Sequence, residues 1–284
     1  MAKIPNIEHL KPILKSNKNT ESLAGPRGII QDYESELIYI ADAGSDVIRV
    51  FTPSLEPVLK FGDSKILSTP AGVCIVNGVL FVCNWGLHTV AIFSLDGEEI
   101  TQMKEVTTSN GLSRFTQPIG ITYDKHKDEV YICDYGGNMV KRFNDVQHIF
   151  AMINKPFDVK LTDEFVIIVT GETVCLHFYN KEGDMIKSIV SSNQGNESDI
   201  GNPSFFGIDD KNTIWLSDYR RHCICQISMD GKILRRIGGK KPSRGNTELF
   251  SYPTGLLLEK NGCLISACVR TDDQIQLFDI KHFR

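Results

Sequence analysis

The sequence predicts an all-β fold, and more narrowly a six-bladed β-propeller, from three observations. A short apolar strand that ends in a polar residue recurs along the chain, and an apolar residue closes the next strand nine positions later. A Pro-x-Gly step recurs upstream of that strand. The segments between these landmarks alternate as β-strands do and show almost no helical periodicity. A repeat of this length predicts similar units that pack side by side.

The polar residue at the strand end recurs in unit after unit. Asp and Asn at such positions accept hydrogen bonds from the backbone of the neighbouring turn. Because the residue is needed in each unit, we expect it to be a structural element and not a catalytic one. The copies join Asp42 to Phe51, Asn84 to Phe93, Asp134 to Phe143, Asp218 to Ile227 and, more loosely, Thr170 to Tyr179 and Ala267 to Phe278.

The Pro-x-Gly step is predicted to begin the first strand of each unit. Proline suits the start of a strand because it has no N–H to offer the ladder, and glycine allows the innermost strands to approach one another closely. The steps are Pro26-Arg27-Gly28, Pro70-Ala71-Gly72, Pro118-Ile119-Gly120 and Pro253-Thr254-Gly255, with degenerate versions at Pro156-Phe157-Asp158 and Phe205-Phe206-Gly207.

We expect one domain over residues 1–284, in which each unit contributes a blade of four antiparallel strands. The last unit has three recognisable strands, so a strand at residues 10–16 is predicted to complete it and close the ring. The segments 105–117 and 190–203 are predicted to be exposed, mobile loops. The predicted blades cover residues 26–69, 70–117, 118–155, 156–204, 205–252 and 253–284.

Composition limits the functions that the chain can perform. It is 41% apolar with a formal net charge of −4, so it can bury a large core and has no overall attraction for nucleic acid. No apolar run is long enough for a membrane span or a signal peptide, so we expect a monomer in the cytoplasm that does not contact membranes. The eight cysteines form no Cys-x-x-Cys pair and are expected to be reduced and buried, with no metal or cofactor bound.

These features resemble NHL repeats, in which a Pro-x-Gly step precedes a strand ending in Ala-Asp, as in Ala41-Asp42 here. In NHL repeats Asn or His follows four residues after the Asp; the corresponding residues here are Asp46, His88, Asn138, Val174 and His222. The resemblance implies a propeller that serves as a binding platform, as in TRIM-NHL and malin-like ubiquitin ligases. It suggests substrate recognition in a ubiquitin-ligase-type system, although the chain has no RING or B-box cluster and is not expected to transfer ubiquitin by itself.

The leading functional prediction is a non-catalytic module that recognises a protein partner through the loop face around the central channel. Aromatic residues follow the strand-ending Asp or Asn on that face, and positive charges surround them. Tyr, Trp and Arg dominate the hot spots of protein interfaces. The predicted binding residues are Arg27, Trp85, Tyr135, Tyr219, Arg220, Arg221, Lys240, Lys241 and Arg244.

Two alternatives remain open at this point. The same cations and aromatics suit single-stranded RNA, in which phosphates need neutralising and bases stack on rings. A weaker alternative is a metal-dependent enzyme similar to lyases or lactonases. The NHL-like amidating lyases carry metal-binding histidines between the Pro and the Gly, and no histidine is found there in this chain. The residues at those positions are Arg27, Ala71, Ile119, Phe157, Phe206 and Thr254.

Overall fold

The computed structural model describes residues 6–7, 14–15, 23–108, 111–144, 148–171, 175–190, 200–239, 250, 252–259, 263–268 and 273–280. No helix in these ranges is long and apolar enough to cross a membrane. In chain order the strands begin with β1 (Asn6–Ile7), β2 (Leu14–Lys15), β3 (Pro26–Gln31), β4 (Ile38–Asp42), β5 (Val47–Phe51), β6 (Pro57–Phe61), β7 (Pro70–Val76), β8 (Val79–Asn84) and β9 (Thr89–Ser94). The next are β10 (Glu99–Met103), β11 (Glu105–Thr108), β12 (Gly111–Arg114), β13 (Pro118–Asp124), β14 (Glu129–Asp134), β15 (Met139–Phe143), β16 (His148–Met152), β17 (Pro156–Leu161) and β18 (Val166–Thr170). The last are β19 (Cys175–Tyr179), β20 (Met185–Val190), β21 (Pro203–Ile208), β22 (Ile214–Asp218), β23 (Cys223–Ile227), β24 (Ile233–Gly238), β25 (Pro253–Leu258), β26 (Cys263–Cys268) and β27 (Gln274–Asp279).

The fold is an all-β propeller, as the sequence predicts. The strands of the described residues form six sheets of four or five strands, together with a separate hairpin of β11 and β12. Four sheets contain consecutive strands: β3 to β6, β7 to β10, β13 to β16 and β17 to β20. The fifth holds β21 to β24 with β1 added to β24, and the sixth holds β25 to β27 with β2 added to β27.

The first strand of each sheet begins with a proline that pairs with the residue ending the second strand. This pairing fixes the register of all six sheets in the same way. The pairs are Pro26 with Asp42, Pro70 with Asn84, Pro118 with Asp134, Pro156 with Thr170, Pro203 with Asp218 and Pro253 with Cys268.

One of the predicted strand starts is wrong. The fifth step is Pro203-Ser204-Phe205 and not Phe205-Phe206-Gly207, because Pro203 is the residue that pairs with Asp218. The glycine at 207 suggested the later start. In the structure Gly207 lies two residues further along β21, where a Cβ atom would meet the side chain of Leu258 at 2.9 Å.

The inner strands approach one another so closely that the glycines of the steps have no room for a side chain. A Cβ atom at Gly28 would lie 2.3 Å from the carbonyl oxygen of Ala71, and one at Gly255 would lie 2.0 Å from that of Arg27. The contact between Gly255 and Arg27 joins the sixth sheet to the first. The hydroxyl of Thr254 also donates a hydrogen bond to the carbonyl of Pro26 at 2.7 Å. The row of inner strands is therefore continuous from the last sheet to the first.

Two short N-terminal strands add to the last two sheets. Leu14 of β2 pairs antiparallel with Leu277 of β27, where the sequence predicts a closing strand. Ile7 of β1 pairs in parallel with Ile237 of β24, a contact that the sequence does not predict.

The segment 105–117 is not a loop throughout, contrary to the prediction. It contains the hairpin of β11 and β12, and its Val106 and Phe115 are buried. Its polar composition conceals the strands because the opposite side of the hairpin, including Leu112 and Arg114, is exposed. Of the other predicted loop, residues 191–199 lie outside the described ranges.

The strand-ending polar residues hold the segment before each inner strand. Asp134 accepts hydrogen bonds from the backbone N–H groups of Thr116 and Gln117, and its Oδ2 atom lies 2.8 Å from Nζ of Lys141. Asp42 likewise accepts from the N–H of Ala24 at 2.7 Å. These contacts agree with a structural role for the repeated Asp.

The residue four positions after the strand-ending residue is a turn residue with a left-handed backbone. Asn, Asp and His are the non-glycine residues most often found in that conformation. This explains why these residue types recur there without any need for metal binding. The φ angles are 55° at Asp46, 57° at His88, 54° at Asn138 and 55° at His222.

Candidate ligand-binding pocket

A cavity of about 380 Å³ lies where the inner strands begin. Two repeated positions supply most of its wall. The middle residue of the Pro-x-Gly step contributes Arg27, Ile119, Phe157, Ser204 and Thr254. The residue after the strand-ending position contributes Trp85, Tyr135, Gly171 and Tyr219. Asn202, Pro203 and Phe205 complete the lining.

Four aromatic rings form a continuous wall on one side of the pocket. The ring centroids of Trp85 and Tyr135 are 5.3 Å apart, those of Tyr135 and Phe157 are 6.5 Å apart, and those of Phe157 and Phe205 are 5.5 Å apart. Aromatic pairs at such distances hold one another in place, and their exposed faces offer a rigid apolar surface. The wall therefore favours a flat or apolar ligand group.

Arg27 brings a positive charge into this pocket. Its side chain is half-buried, and among the described residues no Asp or Glu forms an ion pair with it. Burial lowers the pKa of Arg27, and interaction with Tyr219 acts in the opposite direction. A partly desolvated guanidinium is stabilised by an anion, and its planar fork fits a carboxylate or a phosphate.

A second cation lies beside the aromatic wall. Nζ of Lys155 is 4.6 Å from the centroid of the Tyr135 ring. The backbone of Lys155 is fixed by a hydrogen bond from its N–H to Oδ1 of Asn138 at 3.1 Å. Arg27 in the lining and Lys155 over the Tyr135 ring thus place two positive charges next to the aromatic wall.

The axial channel is nearly filled just beyond the pocket. In the third position of the step, where four units have glycine, the fourth and fifth units have Asp158 and Phe205. The remaining axial cavity measures about 20 Å³, which is room for one or two water molecules. This cavity is much smaller than a ligand that would fill the 380 Å³ pocket.

Asp158 is held within this filled channel by two contacts. Its Oδ1 atom lies 3.2 Å from Nζ of Lys160, and its Oδ2 atom accepts a hydrogen bond from the N–H of Phe206 at 3.1 Å. Burial raises the pKa of Asp158, and the charge of Lys160 opposes that rise.

The structure brings four of the predicted binding residues together: Arg27, Trp85, Tyr135 and Tyr219 all line the pocket. Arg220 is exposed and does not line it. Arg221 packs beside Gly201, where a Cβ atom would lie 3.0 Å from its Cγ, and likewise does not line the pocket. Lys240, Lys241 and Arg244 lie outside the described residues.

Several pocket residues were not predicted from the sequence. Phe157 and Thr254 occupy the middle position of the step, at which Arg27 alone is predicted to bind. The wrong start of the fifth strand put Phe206 at that position instead of Ser204. Lys155 precedes the step in the fourth unit, and no repeated pattern marks it.

The described residues that line the cavity include no Asp, Glu, His or Cys, the residue types that bind zinc in proteins, but they include Tyr135 and Tyr219. His222 is buried outside the lining, where its Nδ1 atom accepts a hydrogen bond from the N–H of Tyr252 at 3.2 Å. His88 is an exposed turn residue. Neither histidine faces the pocket.

Comparison with solved structures supports the propeller fold. A virginiamycin B lyase from Staphylococcus aureus is 13% identical, covers 94% of this chain and 88% of its own, and has a TM-score of 0.61. A gluconolactonase from Xanthomonas campestris is 11% identical, covers 90% of this chain and 86% of its own, and has a TM-score of 0.69. A chain from a nidogen/laminin complex is 15% identical, covers 81% of this chain and 83% of its own, and has a TM-score of 0.63.

The structural neighbours thus include enzymes. At these identities the likeness establishes the fold and not the activity. No family model matches the chain, and comparison with curated proteins finds no match.

Proposed function

We propose that the protein is a non-catalytic binding module whose pocket takes up a short segment of a protein partner. The segment would present a carboxylate beside an aromatic or apolar side chain. The carboxylate binds Arg27, and the apolar group packs on the wall formed by Trp85, Tyr135 and Phe157.

One observation carries this proposal: the guanidinium of Arg27 is half-buried among aromatic rings without a carboxylate partner in the described part of the chain. A desolvated charge without a partner adds little to the stability of the fold, but it can add affinity for a ligand of opposite charge. The axial cavity measures only about 20 Å³, so the pocket suits the end or the side chain of a segment.

In such a module the six sheets are the six blades of one NHL-type ring that spans the chain. The repeated pairing of proline with the strand-ending residue supports this interpretation, as do the contacts of Thr254 and Gly255 with the first sheet. A role in substrate recognition by a ubiquitin-ligase-type system is consistent with such a module and belongs to the same proposal.

The enzyme alternative has weaker support. Two of the structural neighbours are a lyase and a gluconolactonase, but the described lining of this pocket supplies no carboxylate or imidazole. Single-stranded RNA remains the second macromolecule to test. The affinity for its phosphates would depend on exposed arginines such as Arg220 as much as on Arg27.

The experiment selects peptides from a random displayed library against the full chain. Binding of the selected peptides is then measured by the change in Trp fluorescence, since Trp85 lines the pocket whereas Trp215 is fully buried. We expect enrichment of Asp or Glu beside an aromatic residue. The R27Q variant should lose at least tenfold in affinity, and R220Q should bind as the wild type does.

A random single-stranded RNA pool provides the competing test. Tight RNA binding that falls steeply with salt and depends on Arg220, combined with no enrichment of peptides, would favour the RNA alternative. Peptide binding that is equal in R27Q and wild type would contradict the proposed role of the pocket.

A further inference from the structure

A carboxylate and two thiols meet inside the fifth sheet. Asp218, at the end of β22, is directly opposite Cys223 at the start of β23, and Cys225 lies on the same face of β23 two residues later. The three side chains are buried, and their oxygen and sulfur atoms lie within 4.8 Å of one another. Within the described ranges this is the one group of three such side chains with ligand atoms so close.

The first and third sheets show what normally accompanies the strand-ending Asp. In the first sheet Nε of Arg49 lies 2.8 Å from Oδ2 of Asp42. In the third sheet Nζ of Lys141 lies 2.8 Å from Oδ2 of Asp134. Each cation stands seven residues after its Asp, so the buried carboxylate is neutralised from the adjacent strand.

The second and fifth sheets depart from this rule in different ways. In the second sheet the strand-ending residue is the neutral Asn84, and Ala91 stands seven residues later, so no charge needs a partner. In the fifth sheet the carboxylate of Asp218 is kept, but the position of the cation is taken by Cys225. Among the described residues no Lys or Arg forms an ion pair with Asp218.

We propose that Asp218, Cys223 and Cys225 bind a thiophilic divalent cation such as Zn²⁺, which occupies the place of the missing side-chain cation. The two Sγ atoms are 3.9 Å apart. Two thiolates about 2.3 Å from a zinc ion at the tetrahedral angle are separated by about 3.8 Å, so the thiols are already spaced for a common ion. Two sulfur ligands and one carboxylate match the preferences of such a metal.

Charge balance supports this site. Arg236 of β24 is directly opposite Cys225 of β23, so its side chain lies on the same face of the sheet as the cluster. A divalent cation with two thiolates and one carboxylate carries one net negative charge, which Arg236 compensates. The net charge is also zero without metal, because the thiols are then neutral and the carboxylate is balanced by Arg236. Binding therefore exchanges two thiol protons, released to solvent, for one cation without burying net charge.

The test is a titration of the full chain, purified under reducing conditions and treated with a chelator, with Cd²⁺ and then with Zn²⁺ alone. Cd²⁺ binding is followed by the ultraviolet charge-transfer absorption of cadmium thiolates, and Zn²⁺ binding by the rise in the thermal unfolding temperature. We expect one ion per chain with submicromolar affinity. Zn²⁺ should raise the unfolding temperature by several degrees.

Matched variants assign the ligands. C223A and C225A should each lose the absorption and the thermal shift. C133A removes an equally buried thiol outside the cluster and should keep both. D218N retains both thiols and should bind at least tenfold more weakly. Its unfolding curve without metal shows whether the fold has survived the substitution.

Three results would overturn the proposal. The first is a wild type that shows no cadmium–thiolate band. The second is binding that C223A and C225A leave unchanged while both variants remain folded. The third is a chain in which the two thiols form a disulfide on mild oxidation but bind neither ion; such a chain would have a redox pair in place of a metal site.

Discussion

The ammonium of Lys141 lies 2.8 Å from Oδ2 of Asp134, and both side chains are buried in the third sheet. Lys141 also donates a hydrogen bond to the carbonyl of Arg114 at 2.6 Å, which ties the β11–β12 hairpin to the sheet. One buried ion pair thus holds two adjacent parts of the fold.

Lys141 therefore allows a first prediction. K141M should lower the free energy of unfolding by about 3–5 kcal/mol, because it leaves the carboxylate of Asp134 buried without its cation. The double variant K141M/D134N imitates the neutral pair Asn84 and Ala91 of the second sheet, and it should recover part of that loss. Urea unfolding of the three proteins measures both effects. A double variant less stable than K141M would contradict this account.

A second prediction concerns the crowded inner strands. G255A should lower the free energy of unfolding by about 1–3 kcal/mol or more, because the new methyl group would lie 2.0 Å from the carbonyl oxygen of Arg27. G171A is the matched control, since the contacts of its Cβ atom would be 3.6 Å. Thermal unfolding compares the two variants. Equal midpoints for both would show that the inner strands are not in close contact.

A third prediction separates stability from binding at Arg27. R27M should leave the free energy of unfolding unchanged or raise it by up to about 1 kcal/mol, since it replaces a half-buried charge that has no carboxylate partner among the described residues. Urea unfolding of R27M and the wild type tests this. A loss of more than about 2 kcal/mol would indicate that Arg27 has a structural role.

A fourth prediction concerns pH and Asp158. Burial raises the pKa of Asp158 in the folded protein, so its ionisation as pH rises costs the folded state more than the unfolded state. Asn at this position does not ionise. The free energy of unfolding of D158N, minus that of the wild type, should therefore increase as pH rises above the ordinary Asp range. Urea unfolding at several pH values measures this difference, and a difference that falls with pH would contradict the raised pKa.

Much of the fold could be predicted because its determinants are local and repeated. Asp134 and its turn recur with fixed spacing, and Gly28 and Gly255 mark the crowded axis. The strand start at Pro203 was missed because the fifth step has Phe205 in place of glycine, so register depended on the pairing of Pro203 with Asp218. The signal that could have found it is a spacing: Asp218 follows Pro203 by 15 residues, and the paired residues of the other five sheets are 14 to 16 residues apart.

The candidate site was predictable only where it follows the repeat. Trp85, Tyr135 and Tyr219 were found because each follows a strand-ending residue. Lys155 contributes to the site through its position above the ring of Tyr135, which sequence spacing does not encode. Arg221 carries the right charge but packs beside Gly201 and does not line the pocket, and its position in the sequence does not indicate this.

The binding of a carboxylate by Arg27 is tested most directly by a signal from the Arg27 guanidinium itself. The NMR resonance of its Nε–H group can be followed during titration with the acidic peptide selected by the displayed library, with Arg220 as an internal reference. We predict a large shift of the Arg27 signal that saturates at one peptide per chain, with little change at Arg220. Saturable peptide binding that leaves the Arg27 resonance in place would contradict the proposed recognition of a carboxylate in this pocket.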